Sequence, residues 1–228
     1  MRDHGWQPVA DDDTVRVSPG WFRLVDDFTR RGPLARVAVE LDRRDPLDTA
    51  WIPVDTPVTV TTAGNVGFPG LERRRGVAGL PAKRYRVRAQ SAFYVPLYRD
   101  SGDGIEFSSL PDDPAGPPQQ VVRQDIVLLP AVRYPYAAYI SVVRGQVRDA
   151  AGAAVADVVV STTAQAGAGT RTDRTLTDER GTFALALRWI GPAGTATVTA
   201  LDRRTQRTAT VQVTLPAGLS HSQLIIIV

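Results

Sequence analysis

The sequence predicts an all-β chain that folds into two tandem β-sandwiches. Short alternations of apolar and polar residues, bounded by Gly, Pro, Asp and Asn, recur along the 228 residues and are typical of half-buried strands. The 19 glycines and 17 prolines leave few places for a long helix, because Pro interrupts the helical hydrogen-bond ladder. One pattern of strands also occurs in each half of the chain, which predicts two copies of one unit.

The individual strand patterns follow one another at short intervals. In the first half they occupy residues 21–25, 37–41, 58–62, 85–89 and 126–129. In the second half they occupy residues 140–147, 158–162, 182–187, 195–201, 209–213 and 224–228. Within residues 85–89, the period of two places Tyr85 and Val87 on one face of the strand and Arg86 and Arg88 on the other. This alternation predicts a sheet with one face in the core and one face in water.

The internal repeat is clearest around the turns. In the second half, residues 145–149 lead through a turn at Gly152 to residues 155–160 and then to residues 177–183. In the first half, residues 22–26 lead through Gly32 and Pro33 to residues 34–39, and then to residues 62–68 and 85–89. Aligning residues 62–68 with 177–183 places Val66 opposite Gly181. We therefore expect Gly64 and Asn65 to remake that turn in the first half.

These patterns divide the chain into three parts. We expect an N-terminal arm at residues 1–14, a first β-sandwich at residues 15–133 and a second at residues 134–228. Pro130 closes the last strand of the first sandwich, and a short joint rich in Tyr and Pro follows it. A short joint of this kind favours two units packed end to end over two units that swing freely.

Composition argues against several kinds of chemistry. The chain has no cysteine and only two histidines, His4 and His221, so thiolate metal sites, disulfides and Ser-His-Asp catalysis lack their residues. The acidic residues at 11–13 and 100–104 lack the spacing of a calcium loop, and we expect them to be solvated loop acids. We therefore expect a protein that is not an enzyme, has no cofactor or metal, and has no small-molecule ligand.

Charge and hydropathy suggest where the chain is found. The net charge is +3, and the small excess is spread thinly over residues 139–228, whereas nucleic-acid-binding proteins concentrate theirs. The first residues contain no apolar run that could serve as a signal-peptide core, and no later run is long enough to span a membrane. We expect a cytoplasmic protein that binds neither nucleic acid nor membrane and that is assembled into a particle able to be released.

The second half resembles the carboxypeptidase regulatory-like domain at residues 145–152, 155–160 and 177–183. In that pattern Gly152 supplies a turn, Asp178 and Gly181 form a hairpin with one residue at positive φ, and Phe183 returns the chain to the core. The resemblance implies transthyretin-like or immunoglobulin-like β-sandwiches in tandem, with a non-catalytic role in packing or presentation. A hydrolase of this fold relies on histidines and a C-terminal Tyr-Arg-Gly-Ser, whereas this chain ends in Leu-Ile-Ile-Ile-Val.

The arrangement of the whole chain is similar to structural proteins of contractile injection systems and phage tail-like particles. This second resemblance rests on the tandem sandwiches and on the opening Phe-Arg-Leu-Val-Asp-Asp-Phe at residues 22–28. It implies a structural or adaptor subunit whose partners are other subunits of an assembly, including copies of itself. The alternative is a carbohydrate-binding or adhesion module, because related sandwiches bind sugars through paired aromatic side chains.

Three groups of residues are candidates for the subunit interface. The first is the basic run Arg73, Arg74 and Arg75, for which a solvated surface is the alternative. The second is Tyr134 and Tyr136 at the joint, for which packing between the sandwiches is the alternative. The third is the apolar run Leu224, Ile225, Ile226 and Ile227, which is either a covered core strand or an edge strand that awaits a partner. Deleting residues 224–228 separates these last two roles, because a core strand is needed for folding and an interface only for assembly.

Overall fold

A computed structural model describes residues 18, 20–45, 50–68, 71, 83–109 and 123–228 of the chain. The predicted arm at residues 1–14 and the basic run of Arg73, Arg74 and Arg75 lie outside these residues. In the described part, the regular structure is β-strand apart from two short 3₁₀ helices, Leu97–Asp100 and Ala217–Ser220. The all-β fold class is therefore confirmed.

Two sheets form the first half of the chain. Their strands are β1 (Trp21–Asp26), β2 (Ala38–Arg44), β3 (Trp51–Pro53), β4 (Thr59–Val60), β5 (Asn65–Gly67), β6 (Lys83–Gln90), β7 (Tyr94–Pro96), β8 (Ile105–Ser109) and β9 (Gln124–Pro130). One sheet has the order β4-β5-β1-β9-β7 and the other has the order β3-β2-β6-β8. Within the first sheet, β1 pairs antiparallel with β5 and parallel with β9. The buried side chains of both sheets form one apolar core.

The second half repeats this construction with fewer strands. They are β10 (Val142–Asp149), β11 (Val159–Ala166), β12 (Gly169–Leu176), β13 (Thr182–Ala186), β14 (Thr195–Asp202), β15 (Arg207–Thr214) and β16 (Gln223–Ile227). The sheets have the orders β13-β10-β16 and β12-β11-β14-β15, and they enclose a second apolar core. As β1 does in the first half, β10 pairs antiparallel with one neighbour and parallel with the last strand.

The two halves therefore share one pairing scheme. Seven strands of the first half, β1, β2, β3, β5, β6, β8 and β9, pair with one another as β10 to β16 do. The first half adds β4, which extends its sheet beyond β5, and β7, which pairs with the outer edge of β9. The predicted internal repeat is confirmed by this hydrogen bonding. The exact division at residue 134 stays a prediction, and Tyr134 itself is buried in the first core.

The alignment of the repeat at the motif turn is wrong by two residues. The backbone N–H of Leu24 donates to the carbonyl of Gly64 at 2.8 Å, and the N–H of Val147 donates to the carbonyl of Gly181 at the same distance. Both glycines have positive φ, at +80° and +69°, a conformation that a Cβ disfavours. Gly64 is therefore the counterpart of Gly181, and the turn did not have to be remade.

This correction changes which apolar residues correspond. Two residues after each motif glycine come Val66 and Phe183, so these two are counterparts, although the sequence alignment had matched Phe68 with Phe183. That alignment matched residues by type. The register is instead fixed by the backbone hydrogen bond at the turn, which no side chain reveals.

Counterpart positions near this turn exchange large and small side chains. Phe22 of β1 lies opposite Val66, whereas Gly145 of β10 lies opposite Phe183. Both rings are fully buried, so each core contains one ring at this level. A Cβ at Gly145 would overlap the carbonyl oxygen of Gln223 and lie 2.6 Å from the Phe183 ring. Gly145 therefore makes room for a ring that reaches across from the neighbouring strand.

The face of β6 that the sequence assigned to water is partly covered. The alternation itself is confirmed, because Tyr85 and Val87 are buried in the core. On the other face, the carboxylate of Asp42 accepts hydrogen bonds from Arg86 at 2.7 Å and from Arg88 at 2.8 Å, and only 2% of the Asp42 side chain is exposed. The Arg86 guanidinium also lies 4.8 Å from the ring centre of Trp51. This face is therefore only partly in water, because partly exposed arginines surround the buried Asp42.

Replacing Gly145 by Ala is expected to lower the free energy of unfolding by about 1–3 kcal/mol, because the added Cβ overpacks the core. Urea denaturation of the purified chain measures this change. Gly169→Ala in β12 is the matched control, since a Cβ there meets nothing within 4 Å, and we expect its effect to stay within about 0.5 kcal/mol. Equal effects of the two substitutions would contradict the packing argument.

Candidate functional site

A small apolar core joins the two sandwiches. Leu129 of β9, Val159 of β11 and Leu176 of β12 are buried together, and Val95, Leu97 and Val127 pack around them. Side chains alternate along a strand, so β9 turns one face toward its own sandwich and this second face toward the other. The strand is covered on both faces, and the two sandwiches are in direct contact.

A buried ion pair adds to this junction. Asp27 follows β1, is 2% exposed, and accepts hydrogen bonds from Arg174 of β12 at 3.0 Å to Nε and 2.9 Å to Nη2. Arg30 contributes a second cation, 3.0 Å from the same carboxylate. The hydrogen bond to Asp27 raises the pKa of Arg174. A two-pronged contact of this kind is both strong and specific in geometry.

Arg188 crosses the same junction from the second half. Its Nε donates to Asp173 at 2.5 Å, its guanidinium donates to the carbonyl of Phe28, and the charge lies 4.5 Å from the Phe28 ring centre. Beside it, the hydroxyl of Thr175 donates to the carbonyl of Pro130 at 2.7 Å. Polar groups from both sandwiches are therefore paired with each other at the junction.

A second charged group lies near the start of the loop at residues 100–104. Asp157 is contacted by Arg99 of the first half and Arg204 of the second, both at 3.0 Å. Asp100 lies 2.9 Å from Arg203 and is 2% exposed. The expectation that Asp100 is a solvated loop acid is therefore wrong, because it meets a cation from the other sandwich. Asp103, in contrast, has a solvated side chain.

The tyrosines near the joint surround a third buried acid. Asp26 is fully buried and accepts hydrogen bonds from the hydroxyls of Tyr134 at 2.8 Å and Tyr94 at 3.1 Å. The hydroxyl of Tyr136 donates across the junction to the carbonyl of Ala184 at 3.3 Å. Burial raises the pKa of Tyr94 to about 12 and also raises the pKa of Tyr134 and of Tyr136. Tyr134 is thus buried within the first core, and the partly buried Tyr136 packs against that core and contacts the second sandwich.

The C-terminal run forms β16, which alternates in burial although its sequence does not alternate. Ile225 and Ile227 are 2% and 0% exposed and complete the second core. Leu224 and Ile226 are 56% and 51% exposed on the opposite face. The strand pairs with β10 on one side and is the last strand of its sheet. Both features offered by the sequence therefore meet in one strand, a core face and an edge that pairs with no described strand.

A mixed-charge cleft of about 350 Å³ also opens at the junction. It is lined by Val95, Arg99, Arg133, Asp157, Thr177, Asp178, Glu179 and Arg180. Its three arginines are balanced by three acids, so its net charge favours neither anions nor cations. Within the described ranges there is no group of three or more possible metal ligands, and no helix is long and apolar enough to cross a membrane.

Sequence reasoning missed the charged residues of the junction. Asp27, Arg174 and Asp157 lie in turns and in a polar strand whose pattern is that of a solvated surface. Their partners are distant in the chain, as Asp27 and Arg174 show. The one available signal was the mostly polar sequence of residues 169–176, which form the eight-residue strand β12. The alternation of apolar and polar residues did not predict this strand.

The described fold defines a tandem β-sandwich protein whose two units share one pairing scheme. No protein-family model and no curated protein matches the chain. Among solved structures, a Streptococcal ancillary pilin is similar at 11% identity, over 91% of this chain and 61% of its own, with a TM-score of 0.29. The Bacillus anthracis TIE protein is similar at 12% identity, over 90% and 32%, with a TM-score of 0.27. BcpA, the major pilin subunit of Bacillus cereus, is similar at 10% identity, over 91% and 68%, with a TM-score of 0.29.

This chain therefore spans 61% and 32% of the length of the first two of these proteins. The resemblances to the carboxypeptidase regulatory-like domain and to injection-system proteins gain no support from these comparisons.

Alkaline pH is expected to destabilise the fold through its buried tyrosines. Tyrosine in the unfolded chain ionises near pH 10, whereas the pKa of Tyr94 in the folded chain is about 12. The contribution of Tyr94 to the free energy of unfolding is therefore fully present below pH 10, and it is lost as the pH rises from 10 to 12. Urea denaturation at several pH values checks this.

Replacing Tyr94 by Phe should lower the free energy of unfolding by about 1 kcal/mol at pH 7, because Asp26 loses a donor. The free energy of unfolding of this variant should then fall less steeply with rising alkaline pH. Tyr139→Phe, at an exposed position, should match the unchanged chain, and an equal shallowing there would contradict the assignment.

Replacing Arg174 by Met is expected to lower the free energy of unfolding by about 3 kcal/mol, because it leaves the Asp27 carboxylate buried with a weaker set of partners. The double variant Asp27→Leu, Arg174→Met should recover most of that loss, since no unpaired charge remains. Chemical denaturation of the set measures the coupling between the two residues. Purely additive effects would show that the pair does not couple the sandwiches.

Proposed function

We propose that the chain is a non-enzymatic structural subunit, in which two fixed sandwiches form a spacer and β16 binds a neighbouring subunit. The observation that carries this proposal is that no strand of the described residues pairs with the outer edge of β16, whose Leu224 and Ile226 are exposed. A structural subunit needs a defined distance between its contacts and at least one surface that is completed by a partner. The junction between the sandwiches fixes the distance, and the exposed side of β16 is the surface that a partner can complete.

The spacer role is supported by the junction. Apolar side chains from β9, β11 and β12 are buried between the sandwiches, and Asp27, Asp157 and Asp100 each meet cations there. Buried charges are costly unless they are paired, so separating the sandwiches would expose apolar area and break these pairs. The buried acids and tyrosines are thus occupied with maintaining the fold, a role that fits a structural part.

The contact role is supported by the chemistry of β16. Natural edge strands are commonly protected by charges, by Pro or by a covering segment. The sequence of β16 is Gln-Leu-Ile-Ile-Ile, with neither a charge nor a proline. Its outward backbone N–H and C=O groups can add a strand from another protein, and its exposed side chains can add apolar contact.

The narrower assignment to a contractile injection system or phage tail-like particle stays a prediction, as does the alternative of an adhesion module. The same contact surface serves either kind of protein. Identifying the protein that binds β16 would distinguish a particle subunit from an adhesion module.

The test is to purify a tagged chain, at native expression level, from cells of its source and to measure the mass of its complex by sedimentation velocity. We expect a complex of defined stoichiometry that dissociates in the Ile226→Lys variant, because a charge in the apolar contact is costly. Thr210→Lys, at an exposed position of edge strand β15, is the matched control and should keep the complex. Recovery of the chain only as a free monomer, or equal loss with both variants, would overturn the proposal.

A further inference from the structure

The internal repeat shows what a strand in the position of β16 looks like when its outer edge is covered. Leu24 of β1 lies beside Ile126 of β9, and Val147 of β10 lies beside Ile225 of β16. In this register, Val127 and Leu129 of β9 correspond to Ile226 and Val228. The outer faces of β9 and β16 are therefore equivalent surfaces of the two units.

In the first half, that surface is complete. β7 pairs antiparallel with the outer edge of β9, with Val95 opposite Leu129. Val95 joins Val127 and Leu129 in the apolar cluster at the junction. In the second half, no described strand takes the place of β7, and Ile226 and Val228 are 51% and 78% exposed. The missing component is an antiparallel strand that carries an apolar side chain of the Val95 type.

The other edges of the sheets indicate where such a strand can come from. Each of the four sheets ends in two edge strands. Of these, β8, β12 and β15 contain charged residues, and β3 and β7 end in Pro. β13 is free of charge, but its residues from 183 to 186 are buried. Charges and Pro are the usual protection of an edge, so β4 remains as the counterpart of β16 within the described chain.

The segment around β4 has the chemistry that the position requires. Residues 58–62 are Val-Thr-Val-Thr-Thr, and all five are exposed. They are β-branched and uncharged, a composition that favours extended strands. Val58 and Val60 are 38% and 45% exposed and lie on one face of the strand, as alternate residues do,. This stretch, residues 58–62, is called the β4 segment below.

We propose that β16 of one chain pairs antiparallel with the β4 segment of a second copy of this chain. The pairing names the partner of the subunit contact in the proposed function and rests on that contact. Val58 or Val60 takes the place that Val95 has in the first half, against Ile226 and Val228. The sheet that contains β16 in one copy then continues into the sheet that contains β4 in the next.

The charge distribution favours this head-to-tail contact over a symmetric pairing of two β16 strands. Residues 139–228 contain nine arginines and six acidic residues, whereas residues 1–138 are balanced. Pairing a second half with a first half avoids placing two positively charged units side by side. A contact between two different surfaces does not close on itself unless the rotation between copies closes a ring. The expected assembly is therefore a linear series of copies.

Mixing two variants tests the arrangement with purified protein. Ile226→Lys blocks the β16 side of the contact, and Val60→Lys blocks the β4 side. The unchanged chain should form a concentration-dependent series of species beyond the dimer in sedimentation velocity, and each variant alone should be monomeric. An equimolar mixture of the two variants should form a dimer and nothing larger, because only one productive contact remains.

Several results would overturn the self-pairing. They are an unchanged chain that stays monomeric at the highest soluble concentration, a dimer of Val60→Lys with itself, and a mixture that remains monomeric. A thermal unfolding transition like that of the unchanged chain verifies that each variant folds, and Leu224→Lys at the 56% exposed position replaces Ile226→Lys if that variant does not fold. A monomeric pure chain whose native complex still dissociates on Ile226→Lys would overturn only the self-pairing, since the partner would then be a different subunit.

Discussion

The parallel pairing of the first and last strands is the constraint on which each sandwich depends. β1 lies beside β9 and β10 lies beside β16, so the central strand of each of these two sheets is completed only by the end of its unit. A parallel pair needs a long crossover connection, and here the connection is the whole rest of the unit. Ile225 and Ile227 are therefore core residues as much as Ile126 and Leu128 are. In the described chain β16 is also the last strand of its sheet and its other face is exposed, whereas β7 covers the outer edge of β9.

The motif turn sets the register of the strand beside this parallel pair. Gly64 and Gly181 adopt positive φ and accept a hydrogen bond from the middle of β1 or β10. With the backbone fixed in this way, the two units fill the same space differently, with Phe22 and Val66 in one and Gly145 and Phe183 in the other. The backbone register is conserved between the halves, while the residues that fill the layer are not. This explains why a match by residue type misaligned the repeat.

β9 contributes to the junction as well as to the first core. Val127 and Leu129 turn away from the first core and are covered by β11 and β12 of the second half. Around them, acids from turns are paired with arginines from the opposite sandwich, as Asp27 is with Arg174 and Asp157 is with Arg99, so the charges at the junction have partners. The equivalent face of β16 has exposed apolar residues, and no described strand covers it. The two units therefore present the same apolar face, buried at the junction in the first unit and exposed in the second.

The sequence by itself determined the all-β class, the two-unit repeat and most of the long strands, because alternation and turn residues are local signals. It also singled out the C-terminal run of residues 224–227 as both a core strand and an edge candidate. It missed β3, β5, β7, β8 and β12, which are short or polar, and it misassigned Asp100 as a solvated acid. Only the tertiary structure decided which acids are buried, which tyrosines pack inside, and which edge of β16 pairs with no described strand. These depend on partners far away in the chain, such as Asp27 and Arg174, and no local pattern encodes the distance between two surfaces that meet only after folding.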